Sequence, residues 1–325
     1  MPERLWRCEP VQSGGQVTGA RVDRSIVIPF IIFTLIWGST WIVIRDQLGV
    51  VPAQWSVTYR FALAAVAMAL VARWKGHSLL LDRGGMVAAS IIGVTQFCFN
   101  FNAVYLAERF ITSGLVATVF ALLLIPNSLL AWAFLHQKPS GRFFWAALVA
   151  SAGIGLLFLH EVRAAPLRGS DIAIGLGLTI VGLLAASVAN VYQAGKEARR
   201  HPLFGLLAWA MAIGALVDAG IAFAVAGPPV FDPRPAYWLG VVYLALAASV
   251  LCFSLYFPVV RKIGPGKAAY SSVIVPVIAM ALSTAFEGYR WTPLSIGGAV
   301  LALGGMLLAL AGRRRPQLVA NPDAG

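Results

Sequence analysis

The sequence predicts an all-α membrane protein: ten transmembrane helices arranged as two inverted five-helix repeats. Three observations carry that expectation. The composition is too apolar for water, with 59% hydrophobic and only 12% charged residues in 325 and a mean hydropathy of +0.79. Ten apolar runs follow one another along the chain, each near the about 20 residues that cross about 30 Å of hydrocarbon. An offset of 150 residues brings the two halves into register. Soluble domains carry roughly 25% charged residues; a chain with half that share cannot cover its surface with polar groups and needs lipid as its solvent.

In chain order the runs fall at 26–44, 54–72, 86–106, 111–135 and 143–159, then at 172–194, 203–226, 237–259, 268–286 and 292–311. Residues 1–25 form a tail too polar for a signal peptide, and the run after it has no small-residue cleavage site, so it reads as a retained helix. The implied organisation is an N-terminal tail (1–25), a first repeat (26–160), a second repeat (171–311) and a C-terminal tail (312–325). Inside the ten runs the only formally charged side chains are Arg60 and Asp218. Of the Lys and Arg in the connections, 18 fall on one side of this alternation and 6 on the other. Positive charge marks the cytoplasmic side, so the expectation is an inner-membrane, multi-pass protein with both termini inside. One helix more or fewer would scramble the bias, which therefore also checks the count.

The 150-residue offset places Pro52 on Pro202 at the start of the second helix of each half, and Pro126 on Pro276 within the fourth. Gly155-Leu156-Leu157 falls on Gly305-Met306-Leu307 in the fifth. Five spans per half is an odd number, so the second half enters the membrane upside down. Inverted repeats of this kind place a binding site near the midplane, between halves that rock against each other.

Several function classes fall away. The net charge of +12 is spread as small clusters between apolar runs, with no basic face, so no nucleic-acid partner is expected. Cys8, Cys98 and Cys252 are far apart and the four histidines stand singly, so neither a disulfide framework nor a metal site is expected. There is no P-loop, HExxH, Cys-x-x-Cys or Gly-x-Ser-x-Gly motif. The chain therefore reads as no enzyme, without cofactor, and without ATP-driven pumping of its own.

Candidate site residues are the polar and aromatic ones that hydrocarbon does not tolerate idly. Arg60 and Asp218 are intramembrane charges at similar depth, which permits an ion pair; snorkelling to the headgroups is the alternative for Arg60, and a structural role for Asp218. The amides Gln96, Asn100, Asn102, Asn127, Asn190 and Gln193 must bond either a neighbouring helix or a solute. As a set facing one cavity they would read a zwitterion's amine and carboxylate. Trp37, Trp41, Tyr105, Tyr192, Tyr256 and Tyr270 would supply an aromatic wall, or serve as packing and interfacial anchors. Pro126 and Pro276 free backbone carbonyls in mid-helix, at a hinge or a plain kink. Gly153, Gly155, Gly297, Gly298, Gly304 and Gly305 permit close helix contact, within the fold or between protomers.

The run Leu35-Ile36-Trp37-Gly38-Ser39-Thr40-Trp41 ending at Arg45, the pair Pro52 and Arg60, Gly264-Pro265-Gly266-Lys267-Ala268-Ala269, Val275-Pro276-Val277 and Phe286-Glu287-Gly288 together resemble the EamA-like branch of the drug/metabolite transporter superfamily. The resemblance covers about residues 26–311. It implies the ten-helix inverted fold, a small-molecule solute as partner within the lipid bilayer, and export of amino acids or small amphipathic metabolites by alternating access, with protons as the coupling ion. It draws Ser39 and Glu287 into the candidate set. Where the family often repeats the acid of Glu287 in the first half, this chain has Gln137, so a role needing two symmetric carboxylates is not expected. Uptake of a sugar or nucleoside-like solute is the alternative within transport. A non-transporting sensor or lipid-handling accessory is the alternative outside it.

Overall fold

The computed structural model describes residues 24–136, 138–164, 169–256 and 271–311, and among these every regular element is helical. In chain order the long helices are α1 (Arg24–Asp46), α2 (Ala53–Trp74), α3 (Arg83–Ala107), α4 (Ser113–Leu135) and α5 (Gly141–Ala164). They continue as α6 (Gly169–Ala194), α7 (Leu203–Ala226), α8 (Pro235–Tyr256), α9 (Ser271–Phe286) and α10 (Pro293–Ala311). The first eight are long and apolar enough to cross a membrane, and α9 and α10 carry the shorter apolar stretches Ile274–Phe286 and Pro293–Leu308. Over its described residues, each apolar run read from the sequence falls on one of these helices. The tails, Gln137, and the chain between 257 and 270 with its Tyr270 lie outside the described residues.

The outward faces are apolar. Leu35, Val66, Leu70, Trp145, Leu216 and Val300 are each more than half exposed. In water such faces aggregate; in a bilayer they are solvated by lipid tails while the backbone is satisfied within each helix. The interior holds Phe61, Met68, Phe97, Leu207 and Met211, all fully buried between α2, α3 and α7.

Local features recur at the spacing seen in the sequence. Pro52 and Pro202 stand immediately before α2 and α7 with φ of −54° and −60°, the angle the proline ring imposes at a helix entry. The central stretches of α3 and α8 are π-helical, over Gly93–Asn100 and Tyr243–Leu251, and their first residues are again 150 apart. Packing follows the same logic. The pairs α2–α7, α5–α10 and α4–α9 join corresponding or partnered helices, while α3 meets α6 and α7, α8 meets α1 and α2, and α4–α6 is matched by α9–α1. Exchanging the first five helices for the last five maps this set of contacts onto itself.

The α5–α10 pair is held by glycines. A Cβ on Gly153 would lie 2.3 Å from the Ala302 nitrogen, and one on Gly305 would lie 2.4 Å from the Ala150 nitrogen. Gly298 also fits closely, 2.8 Å from the Gly153 oxygen and 2.9 Å from the Leu157 nitrogen, whereas Gly155, Gly297 and Gly304 have nothing within 4 Å. So half of this glycine set makes contact within the fold, and the other half faces outward.

Candidate functional site

A cavity of about 240 Å³ lies among α1, α2, α3, α4, α6, α7, α8 and α9. Drug-sized sites run to about 300–1,000 Å³, so this one suits a small metabolite. Trp37 and Trp41 reach it from α1; four residues apart, they share one helix face. The Trp37 indole donates to the Ala248 carbonyl at 3.0 Å, inside the π-helical stretch of α8, and its ring centroid lies 5.1 Å from that of Tyr256. Trp41 packs against Phe120 at 5.6 Å. From the π-helical stretch of α3 come Gln96 and Asn100, from the end of α6 Asn190 and Gln193, and from α9 Pro276. Both π-helical stretches therefore border the cavity, as such segments do at functional sites.

Arg60 lines the same space and is only 2% exposed. Its Nε and Nη2 each lie 3.3 Å from the Ser249 Oγ, and that hydroxyl donates onward to the Leu244 carbonyl at 2.9 Å. The guanidinium carbon sits 4.3 Å from the Phe101 ring centroid and 5.0 Å from that of Phe61. Among the described residues no carboxylate approaches within ion-pair distance and Nη1 makes no hydrogen bond, while the Tyr105 hydroxyl lies beside the guanidinium. Asp218 is engaged elsewhere: it accepts from Thr58 Oγ1 at 2.9 Å and from the Asn102 amide, with the Cys98 Sγ at 3.8 Å. Arg60 and Asp218 thus form no ion pair with each other.

The helical period explains which candidates stay apart from the cavity. Ser39, between Trp37 and Trp41, points to the other side of α1, where it meets the Tyr243 hydroxyl at 2.6 Å. Asn102 and Tyr105 lie past Asn100 on different faces of α3, and Tyr105 donates to Gln47 at 2.9 Å. Tyr192 packs in the core between Asn190 and Gln193, and neither Asn127 nor Pro126 reaches the lining. In α4 the lining comes instead from the turn around Ala121–Leu123, a 3₁₀ segment shortly before Pro126.

Glu287 stands at the opposite end of the bundle. It accepts from the Ser113 amide at 3.2 Å and from its hydroxyl at 2.8 Å, and lies 3.6 Å from Arg45 Nε. Beside it is a residue the sequence reading passed over. Glu108, one residue beyond α3, is fully buried, with neither carboxylate oxygen hydrogen-bonded among the described residues. Burial, with the Glu287 carboxylate next, holds its pKa well above the ordinary glutamate range, partly offset by Arg45. Facing it are Arg45 from α1, Glu287 beyond α9 and Tyr105 from α3. A raised carboxyl pKa stabilises the fold fully below the unfolded value and loses that contribution as pH rises through the folded one. Glu108→Gln is therefore expected to leave the unfolding midpoint in detergent unchanged at pH 4, below the ordinary glutamate value, and to raise it by about 2–4 °C at pH 9. An equal effect at both pH values would contradict this.

The sequence profile of the EamA-like transporter family matches this chain twice, over residues 24–159 and 173–311. The chain is 24% identical over 266 residues to "Protein PagO" of Salmonella typhimurium, spanning 82% of this chain and 86% of that one. It is 26% identical over 257 residues to the "Uncharacterized inner membrane transporter YedA" of Escherichia coli K12, spanning 78% and 80%. To a "Probable amino-acid metabolite efflux pump" of Salmonella typhimurium it is 26% identical over 296 residues, spanning 87% and 94%. A solved crystal structure shares the fold, with a TM-score of 0.63 over 90% of this chain and 99% of the other at 21% identity.

Proposed function

The chain belongs to the EamA-like transporter family, and on that premise we propose that it is a secondary transporter of the inner membrane that exports amino acids or small amphipathic metabolites by alternating access. The observation that carries the reading is the central cavity bordered at one end by a polar cluster. Its lining reaches the end of α6 (Ala186–Gln193) and the start of α9 (Ser271, Val275, Pro276), the side on which the solute path is open in the proposed cycle, and extends along α1, α3 and α4 to Ile44, Val104 and Ala117. At the opposite end Arg45, Ser113 and Glu287 are knit together, with Glu108 buried beside them. With both termini cytoplasmic, the knit end is the outer one and the conformation faces inward.

Two inverted five-helix repeats, residues 26–160 and 171–311, supply the mirror-image state. The symmetric contact set, the doubled family match and the paired π-helical stretches all support that reading. Pro276 and the turn before Pro126 serve as the points where α9 and α4 bend. Glu287, Glu108 and Asp218 are the groups on which proton coupling would act. The efflux pump among the relatives, the small cavity and its few polar groups favour amino-acid-sized solutes with apolar bodies.

Counterflow in proteoliposomes tests this, using a panel of amino acids, sugars and drugs with and without a pH gradient. Exchange of apolar amino acids, enhanced by the gradient, is the expected result. Monodisperse protein that moves no member of the panel would overturn the transport reading. Exchange indifferent to the gradient would remove proton coupling alone.

A further inference from the structure

We propose that Arg60 is a carboxylate receptor, so that the cavity takes a solute bearing one carboxylate on an apolar body, with a zwitterionic amino acid as one member of the class. This rests on the transporter reading of the same cavity and narrows it. The starting point is a charge without a counterion. Arg60 is buried within an apolar helix, held by Ser249 through Nε and Nη2, with the Tyr105 hydroxyl beside it and two aromatic faces flanking it, while Nη1 makes no hydrogen bond among the described residues. Ser249 is a neutral hydroxyl and balances no charge. Asp218, the one acid within the apolar runs, is bonded to Thr58, Asn102 and Cys98 and does not line the cavity. A guanidinium left unpaired in such a place is costly, and intramembrane charges of this kind mark substrate paths.

The anchoring contacts favour reception over mere tolerance. Ser249 fixes one edge of the guanidinium, the Phe61 and Phe101 rings fix its plane and the Tyr105 hydroxyl lies beside it, while Nη1 is buried without a hydrogen bond among the described residues and is the donor a carboxylate entering the cavity would engage. Guanidinium donors fit carboxylate oxygens, and the interaction strengthens where water is excluded. Among the described residues three further buried polar atoms of cavity residues make no hydrogen bond: Trp41 Nε1, Gln96 Oε1 and Asn100 Oδ1. The indole is a donor and suits a second anionic oxygen. The two amide oxygens are acceptors and suit an ammonium or hydroxyl on the same solute.

No Asp or Glu lines the cavity among the described residues. An ammonium therefore finds only amide oxygens and aromatic faces, and a solute with net positive charge meets Arg60 with nothing to offset the repulsion. The remaining wall is apolar, with Trp37, Phe97, Phe120, Phe253 and Tyr256 prominent. The selectivity that follows has a defined order. The carboxylate is required, the amine is tolerated, and the side chain is apolar.

Ligands that differ only at the carboxylate test this without relying on any variant's folding. Binding of L-phenylalanine, 3-phenylpropionate and L-phenylalaninamide is measured by calorimetry on the protein in lipid nanodiscs, alongside counterflow of the same compounds. Both carboxylates are expected to bind about tenfold or more tighter than the amide. Arg60→Gln is expected to bring the carboxylates down to the amide's affinity, and Arg60→Lys to keep an intermediate value, since the charge remains and the fork is lost. Equal affinity for L-phenylalanine and its amide on the unmodified protein would overturn the receptor and leave transport standing. So would Arg60→Gln protein, monodisperse and still binding 3-phenylpropionate as before. Protein that binds none of the three but exchanges other solutes also overturns the receptor; protein that neither binds nor exchanges anything overturns both.

Discussion

Replacing Gly153 by alanine is expected to lower the unfolding midpoint in detergent by about 2–6 °C, and replacing it by leucine to leave no monodisperse protein. The cause is backbone, not side chain. The added Cβ would stand 2.3 Å from the Ala302 nitrogen and 2.6 Å from the Gly298 oxygen. Backbone atoms cannot rotate away, so α5 and α10 must separate along their length and lose the dispersion contacts that hold membrane helices together. Gly155, on the same helix, is the control: nothing lies within 4 Å of its would-be Cβ. Gly155→Ala is expected to hold or slightly raise the midpoint, because alanine is about 1 kcal/mol better than glycine in a helix interior. The same contrast is expected between Gly305→Ala and Gly304→Ala. Size-exclusion profiles and thermal melts of the four variants check it, and equal midpoints for Gly153→Ala and Gly155→Ala would contradict it.

These glycines also show how far sequence reasoning reaches. Hydropathy placed the helices because lipid imposes a length on every span, and the proline register survived because proline dictates the backbone angle at Pro52 and Pro202 whatever surrounds it. The cavity was only half legible. Trp37, Trp41, Gln96 and Asn100 were singled out as polar or aromatic groups in hydrocarbon, and they meet. Ser39, Asn102 and Tyr105 were singled out on the same ground, yet they face other helices. Residue type says that a group must be satisfied, and only helix rotation says by what.

The π-helical stretches widen this gap, since they shift the face that Asn100 and Ser249 present, and no composition cue announces them. Ser249 passed unremarked because a serine in a membrane helix commonly bonds its own backbone. Glu108 passed because a charge beyond the end of an apolar run looks solvated, and its burial depends on α1, α4 and α9 closing over it.

The claim that solutes pass through this cavity is tested most directly by filling it. Ala189 on α6 is 2% exposed and borders the cavity. The series Ala189→Val, Ala189→Leu and Ala189→Trp adds volume step by step to a space of about 240 Å³. A small increment competes with solute for room, and an indole occupies most of what a small metabolite needs. Each variant is first checked for a monodisperse profile, so that lost activity is not lost fold. Counterflow of a solute carried by the unmodified protein is then compared in proteoliposomes. Flux is expected to fall in order of side-chain volume and to drop about a hundredfold or more in Ala189→Trp. Unmodified flux in a folded Ala189→Trp protein would mean that the solute travels elsewhere, and would contradict the cavity as its path.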